Sequence, residues 1–282
     1  MGIVDAREHL EDVERWRAHR LARLTGPEGW LTVVGLTWLH EGSKIVGSDP
    51  SSDVILPASA PGRVGTIELA GDLAKFVPEP GVRVRDRHRT VTEGIELVDD
   101  ADGPPTRLAV GPVAFFLIRR EEGLGVRVKD ADAPARAAFS GIAHYPVDLR
   151  WRFEARFEPY DPPRTVEVPT VLDSFERYDV PGALAFDVDG STYRLDAFLE
   201  RGSTDLFVAF GDLTNRDETF GGGRFVYTPP PGAEGVVPLD FNRAYNPPCV
   251  FTPHATCALP LPQNRLPVRI EAGEMRYGTK SV

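Results

Sequence analysis

The side chains best suited to chemistry are concentrated between Asp240 and Glu274, together with both cysteines of the chain and several prolines. Proline fixes the backbone φ angle and lacks an N–H donor, so this stretch is predicted to be a rigid, ordered loop. Polar groups held on a rigid loop lose little entropy on binding, which favours a pocket for a small polar or anionic ligand. The candidate ligand-binding residues are Arg224, Asp240, Asn242, Tyr245, Asn246, Cys249, Asn264 and Arg265. The alternative is that these groups bond to one another and to the loop backbone, as buried polar groups generally do.

The cysteines and the histidine of this stretch raise two further hypotheses. Cys249, His254 and Cys257 are spaced as Cys-x4-His-x2-Cys, and thiolate and imidazole are ligands that zinc prefers. Only three such ligands lie in this stretch, and the paired Cys-x2-Cys arrangement is missing. We therefore predict no cofactor and keep the metal site as an alternative. A hydrolase would use Asp240 as acid or base, or Cys249 as nucleophile, with His254 nearby. The chain contains no Gly-x-Ser-x-Gly motif, which argues against the commonest serine hydrolases.

Composition narrows the classes of partner. The chain has 282 residues, with 42 acidic and 32 basic side chains and a formal net charge of −10. This charge opposes attraction to phosphate backbones and to anionic lipid, so neither nucleic acid nor a membrane is an expected partner, and a small molecule is. No apolar run is long enough to span a membrane, and the N-terminus is charged from Asp5 onward, unlike a signal peptide. We therefore expect a cytoplasmic protein whose cysteines are thiols or metal ligands.

The elements that must position these residues are mostly strands. Apolar side chains recur at helical spacing between residues 5 and 24, which predicts one helix that ends at Gly26 and Pro27. From Trp30 onward, short runs rich in Val, Ile, Leu and Phe alternate with turn residues, a pattern typical of β-sandwiches and barrels. The connections are too short for crossover helices, which favours antiparallel pairing. The strongest hairpin signal is Asp189-Gly190, between the predicted strands Ala183–Val188 and Ser191–Ala197.

The predicted fold class is mainly β, with an N-terminal helix followed by two antiparallel, sandwich-like or barrel-like lobes. The helical segment covers residues 1–29 and the first β lobe covers 30–130. A connection over 131–146 is rich in Ala, Pro and small polar residues. The second β lobe covers 147–282 and contains the Asp240–Glu274 stretch. No particular oligomeric state is predicted.

The first lobe opens with the run Gly47–Leu56 and continues as β-rich sequence to about residue 130. In this it resembles a forkhead-associated (FHA) domain, a β-sandwich that binds phosphothreonine. That family places an Arg after the first glycine and a Ser and a His soon afterwards. Here Ser48 follows Gly47, and Ala60–Gly65 contains neither residue. A phosphate pocket needs convergent donors, and the residues that supply them in that family are missing here. The resemblance therefore implies an FHA-like sandwich that serves as a scaffold. Binding of a partner protein by this lobe is the alternative function.

Several long, unusual strings of residues carry a second resemblance. The most specific are Asp240–Cys249, Asn264–Val268 and Ala272–Glu274; further ones are Gly29–Leu31, Val34–Leu36, Trp38–Leu39, Gly47–Asp49, Leu56–Pro57 and Gly222–Phe225. With these strings most of the chain resembles the bacterial family of domains of unknown function 1684 (DUF1684). The resemblance implies a bacterial origin and a β-rich fold, and it assigns no activity. The family pattern has an aromatic residue where His254 stands, which argues against His254 as a shared ligand or base.

Overall fold

The computed structural model describes residues 5–87 and 89–278, beginning with the predicted helix. This helix, α1, spans Ala6–Thr25. Asp5 caps it, because its Oδ1 atom accepts hydrogen bonds from the N–H groups of Arg7 at 2.9 Å and Glu8 at 3.0 Å. The helix ends directly before Gly26 and Pro27, as the sequence indicates.

The chain divides into two compact units. The N-terminal unit contains Arg23–Phe139 and Phe251–Ala255. The C-terminal unit contains the residues up to Ala22, Ser140–Val250 and the residues from Thr256 onward. The chain passes from one unit to the other after Phe139, within the segment 131–146 that the sequence predicts as a connection. Most of α1 belongs to the C-terminal unit.

Two sheets form the N-terminal unit. Its strands are β1 (Val33–Trp38), β2 (Gly42–Gly47), β3 (Val54–Ile55), β4 (Gly65–Ala70), β5 (Leu73–Pro78), β6 (Val84–Asp86), β7 (Arg89–Val91), β8 (Ile95–Leu97), β9 (Arg107–Val110), β10 (Val113–Arg120) and β11 (Gly123–Asp130). One sheet has the order β1-β11-β10-β9-β6-β7 and the other β3-β2-β4-β5-β8. Side chains of both sheets share one core, in which the ring centroids of Phe76 and Phe115 lie 5.5 Å apart. A short helix, α2 (Pro134–Ala137), follows.

The C-terminal unit is built on a six-stranded antiparallel sheet with the order β16-β15-β14-β13-β12-β17. Its strands are β12 (Arg152–Pro169), β13 (Phe175–Val188), β14 (Ser191–Leu199), β15 (Leu206–Phe210), β16 (Arg224–Thr228) and β17 (Val236–Asp240). One face of this sheet buries alternate apolar side chains, among them Leu184, Val208 and Leu239, in the core of the unit. The opposite face is therefore available for other side chains.

The predicted hairpin at Asp189-Gly190 is confirmed. Both residues have positive φ angles, 50° and 79°, which a two-residue hairpin turn requires. Val188 pairs with Ser191 directly beside the turn. The strands that it joins are longer than the sequence indicates, because β13 begins at Phe175 and β14 ends at Leu199.

These elements confirm the predicted fold class, mainly β with an N-terminal helix and antiparallel sheets. Within the Asp240–Glu274 stretch, three short 3-10 helices lie at Phe241–Arg243, Pro248–Val250 and Pro262–Asn264. Over the residues that the structure describes, no helix is both long and apolar enough to cross a membrane.

Candidate functional site

Arg224 lies at the start of β16 and is completely buried. Its guanidinium group forms an ion pair with Asp212, with Nη2 and Oδ2 2.8 Å apart. It also donates hydrogen bonds to the backbone carbonyl oxygens of Ile270, at 2.8 Å, and Ala272. Because the planar guanidinium fork serves several acceptors at once, this one side chain holds the segment 270–274 against the sheet. Its polar atoms face the protein's own backbone.

Asn264 is a buried amide that joins two strands to the loop that carries it. Its Nδ2 atom donates to the carbonyl oxygens of Asp196 and Ala209, both at 3.0 Å, and its Oδ1 atom accepts from the Asp196 N–H at 2.7 Å. Asn242 is buried in the same way, and it donates to the carbonyl oxygen of Asp148 and accepts from its N–H, both at 2.9 Å. Both amides thus use their hydrogen-bonding groups on the protein's own backbone.

Asp240 is held by its neighbour Asn242. The backbone N–H and the side-chain Nδ2 of Asn242 donate to Asp240 Oδ1 at 3.0 and 2.9 Å. Asp240 Oδ2 lies 3.6 Å from Nε2 of His9 on α1 and 3.6 Å from Nε of Arg243. The histidine beside Asp240 is therefore His9, whereas the sequence pointed to His254.

Tyr245 and Asn246 adjoin a buried carboxylate, Glu274. Glu274 accepts hydrogen bonds from the Asn246 N–H at 2.7 Å and from Nε of Arg20 at 3.1 Å. Arg20 also donates to the carbonyl oxygen of Asn246 at 3.0 Å, and its guanidinium carbon lies 4.5 Å from the centroid of the Tyr245 ring. A cation at this distance is attracted by the electron-rich face of the ring. These contacts fix the position of Tyr245.

The alternative metal site at Cys249, His254 and Cys257 is not supported. Within residues 5–87 and 89–278, no group of three or more His, Cys, Asp or Glu side chains could hold a metal ion. The two cysteines belong to the C-terminal unit, whereas His254 lies in the segment Phe251–Ala255 of the N-terminal unit. Neighbouring positions in the sequence thus belong to different packing units. Arg265, the last of the candidate residues, is exposed to solvent.

A ribbon of aromatic rings crosses the sheet of the C-terminal unit on the face opposite its core. Phe225 and Tyr227 alternate along β16 with the core residue Val226, which places both rings on that face. The centroids of neighbouring rings lie between 4.8 and 6.4 Å apart. We call this set the aromatic ribbon, and its members are Trp16, Tyr178, Phe198, Phe207, Phe225, Tyr227 and Tyr245.

The ribbon reaches solvent at Tyr227, which is 39% exposed. The Tyr227 ring stacks on that of Tyr245, with an interplanar angle of 10° and centroids 6.4 Å apart. Its hydroxyl group donates to Glu200 Oε2 at 2.6 Å. Burial, together with Tyr245 and the Glu200 carboxylate, raises the pKa of Tyr227, so the hydroxyl stays protonated. This surface combines flat apolar faces with a carboxylate and a hydroxyl group.

Tyr227, Tyr245 and Glu200 form this surface, and only Tyr245 is among the binding residues predicted from the sequence. The position of Tyr227 could have been predicted, because every second side chain from Arg224 to Tyr227 lies on the same face of a strand. That of Glu200 could not, since its contact with Tyr227 depends on where the chain returns after β14. The structure thus assembles a surface that the order of residues does not show.

The fold and this surface define a mainly β protein with a C-terminal unit that carries an aromatic, partly exposed sheet face. Residues 137–275 match the model of a family described as proteins of unknown function, DUF1684, and the chain belongs to this family. The chain is also similar to an uncharacterised protein of Haloarcula marismortui solved by solution NMR. The two are 34% identical, the match covers 50% of this chain and 78% of that one, and the TM-score is 0.42. No curated protein matches the chain.

Proposed function

We propose that the C-terminal unit binds a small, sugar-like polar ligand at the surface formed by Tyr227, Tyr245 and Glu200. The observation that carries the proposal is the stacked pair of tyrosine rings, partly exposed, with the Glu200 carboxylate at the hydroxyl of Tyr227. The C–H groups of a sugar ring carry partial positive charge and pack well on the negative face of an aromatic ring. Its hydroxyl groups donate to carboxylates. Ligand sites commonly combine apolar area with a few fixed polar groups in this way.

A neutral ligand fits this surface better than an anionic one. The guanidinium group of Arg224 is occupied by Asp212 and backbone carbonyl oxygens, and that of Arg20 is bonded to Glu274 and to the carbonyl oxygen of Asn246. The Glu200 carboxylate would repel an anion, as would the net charge of −10. Of the two kinds of ligand considered from the sequence, polar and anionic, we therefore propose the polar one.

Binding can be tested by saturation-transfer NMR with a panel of neutral monosaccharides and disaccharides. Tryptophan fluorescence is a second readout, because the Trp16 ring centroid lies 6.2 Å from that of Tyr245. A stacked aromatic ring contributes about 1 kcal/mol, so Tyr227→Ala should weaken binding roughly fivefold to tenfold. Tyr227→Phe keeps the ring and loses only the hydroxyl group, and it should have a smaller effect.

The matched control is Phe175→Ala, which removes another exposed ring from the same unit. This variant should bind as the wild type does. The proposal is refuted if no member of the panel binds at millimolar concentration. It is also refuted if Tyr227→Ala and the wild type bind equally well.

The hydrolase hypothesis has weaker support. His9 supplies an imidazole beside Asp240, but the side chains of His9 and Asp240 are only 4% and 10% exposed, which leaves little access for a substrate. The interaction hypothesis for residues 30–130, and the FHA resemblance behind it, stay predictions.

A further inference from the structure

We propose that Cys249 and Cys257 form a redox-active pair that reacts by thiol–disulfide exchange with a low-molecular-weight disulfide. Both residues are thiols in this structure. The backbone N–H of Cys249 donates to Cys257 Sγ at 3.2 Å. Only two carbon atoms separate that nitrogen from the Cys249 sulfur, so the two sulfur atoms are neighbours. A disulfide would replace this contact with an S–S bond.

The two thiols differ in their access to solvent. Cys249 is partly exposed, whereas Cys257 is 6% exposed. A hydrogen bond from the Cys257 thiol, with backbone N–H groups of Cys249 and Val250, lowers the pKa of the Cys249 thiol. The thiolate is the attacking species in exchange reactions. Cys249 is therefore the residue that attacks, and Cys257 is the residue that resolves.

Backbone hydrogen bonds hold both cysteines in place. The carbonyl oxygen of Cys257 accepts from the Val171 N–H at 3.0 Å. On the other side, the Val250 N–H donates to the carbonyl oxygen of Pro247 at 3.1 Å, closing the short 3-10 helix Pro248–Val250 that carries Cys249. The backbone is thus held by hydrogen bonds at both cysteines.

The reaction proceeds in two exchanges. The Cys249 thiolate attacks one sulfur of the small disulfide, whose S–S bond breaks, and one thiol leaves with a proton from water. The Cys257 thiol then loses its proton to water, and the resulting thiolate attacks the Cys249 sulfur. The S–S bond of the mixed disulfide breaks, and the second small thiolate leaves and takes a proton from water. The products are the Cys249–Cys257 disulfide and two small thiols, so two electrons have passed from the protein to the small disulfide.

The test uses the full chain, reduced, desalted and mixed with glutathione disulfide. Intact mass should fall by two hydrogen atoms, and a peptide map should show a Cys249–Cys257 bond that dithiothreitol reverses. Cys257→Ser should stop at a mixed disulfide with glutathione on Cys249. Cys249→Ser should stay unmodified over the same time, because Cys257 is buried. Circular dichroism checks the fold of each variant, and Cys257→Ala replaces Cys257→Ser if the serine variant does not fold.

The same protein unfolded in urea is the reference for intrinsic reactivity. The proposal is overturned if the native wild type keeps both thiols while the unfolded chain is oxidised. It is also overturned if the native chain forms only intermolecular disulfides, or if Cys249→Ser reacts as fast as Cys257→Ser.

Discussion

The substitution Arg224→Met should strongly destabilise the C-terminal unit. Methionine fills much of the volume of the arginine stem and carries no charge. The change leaves the Asp212 carboxylate, whose side chain is completely buried, without its cation. It also leaves the carbonyl oxygens of Ile270 and Ala272 without their donor.

The magnitude follows from these losses. Removing one partner of a buried ion pair costs about 3–5 kcal/mol, because the remaining charge is uncompensated. A lost hydrogen bond from a charged donor costs about 1.5–3 kcal/mol, although the two costs overlap. We expect the free energy of unfolding to fall by about 4 kcal/mol, a large part of the roughly 5–15 kcal/mol that stabilises a typical domain.

Urea unfolding, followed by circular dichroism and tryptophan fluorescence, measures this loss. The matched control is Arg269→Met, the same change at an arginine whose side chain is 36% exposed and pairs with Asp217, Glu218 and Glu271. It should cost much less than Arg224→Met, because ion pairs close to solvent contribute little. Adding Asp212→Asn to Arg224→Met should recover part of the loss, since the buried charge is then gone. A stabilising role for the Arg224–Asp212 pair is refuted if Arg224→Met lowers the free energy of unfolding no more than Arg269→Met, or if the double variant recovers nothing.

Three further predictions concern other sites. Asn264→Ala should lower the free energy of unfolding in urea by about 2–3 kcal/mol, because it leaves buried backbone groups unpaired; an unchanged value would contradict the role given to this amide. Gly190→Ala should cost about 1 kcal/mol in the same assay, because residue 190 has a φ of 79°, whereas Gly232→Ala, without a positive φ, should cost less. Burial lowers the pKa of the Lys129 ammonium group from 10.5 to about 8 in the folded protein. Between these two pH values the unfolded chain holds a proton that the folded chain has lost, so the free energy of unfolding rises with pH. Urea unfolding near pH 8 and near pH 10 should therefore show the wild type gaining stability relative to Lys129→Met, and a relative loss would show the sign to be wrong.

The sequence was a good guide to structure wherever the cause is local. The capped helix from Ala6 and the hairpin at Asp189-Gly190 follow from side chains within a few residues of the element itself. The mainly β class follows from alternation and turn residues over most of the chain. Strand ends were less well predicted, because β13 and β14 extend through pairing with neighbouring strands.

The candidate site was harder to predict, because the partners of its polar groups are far away in the sequence. The residue types marked Arg224 and Asn264 as candidate ligand-binding residues. They could not show that the backbone carbonyl oxygens of Ile270 and Ala209 accept the hydrogen bonds of these side chains. The same limit applies to His9, which meets Asp240 across most of the chain. Polar residues on a proline-rich loop can bind a ligand or bind the loop itself, and only the fold distinguishes the two.

The ion pair between Arg20 and Glu274 joins residues 254 positions apart, which has a consequence for synthesis. On the ribosome α1 emerges before the strands of the three sheets, and the stretch that contains Glu274 emerges after them. The buried side of the helix, including Val13, therefore makes its final contacts only after that stretch has been synthesised. Domains with such distant contacts fold slowly, and their incomplete forms expose apolar surface. We expect the C-terminal unit to complete its folding only after Glu274 has left the ribosome.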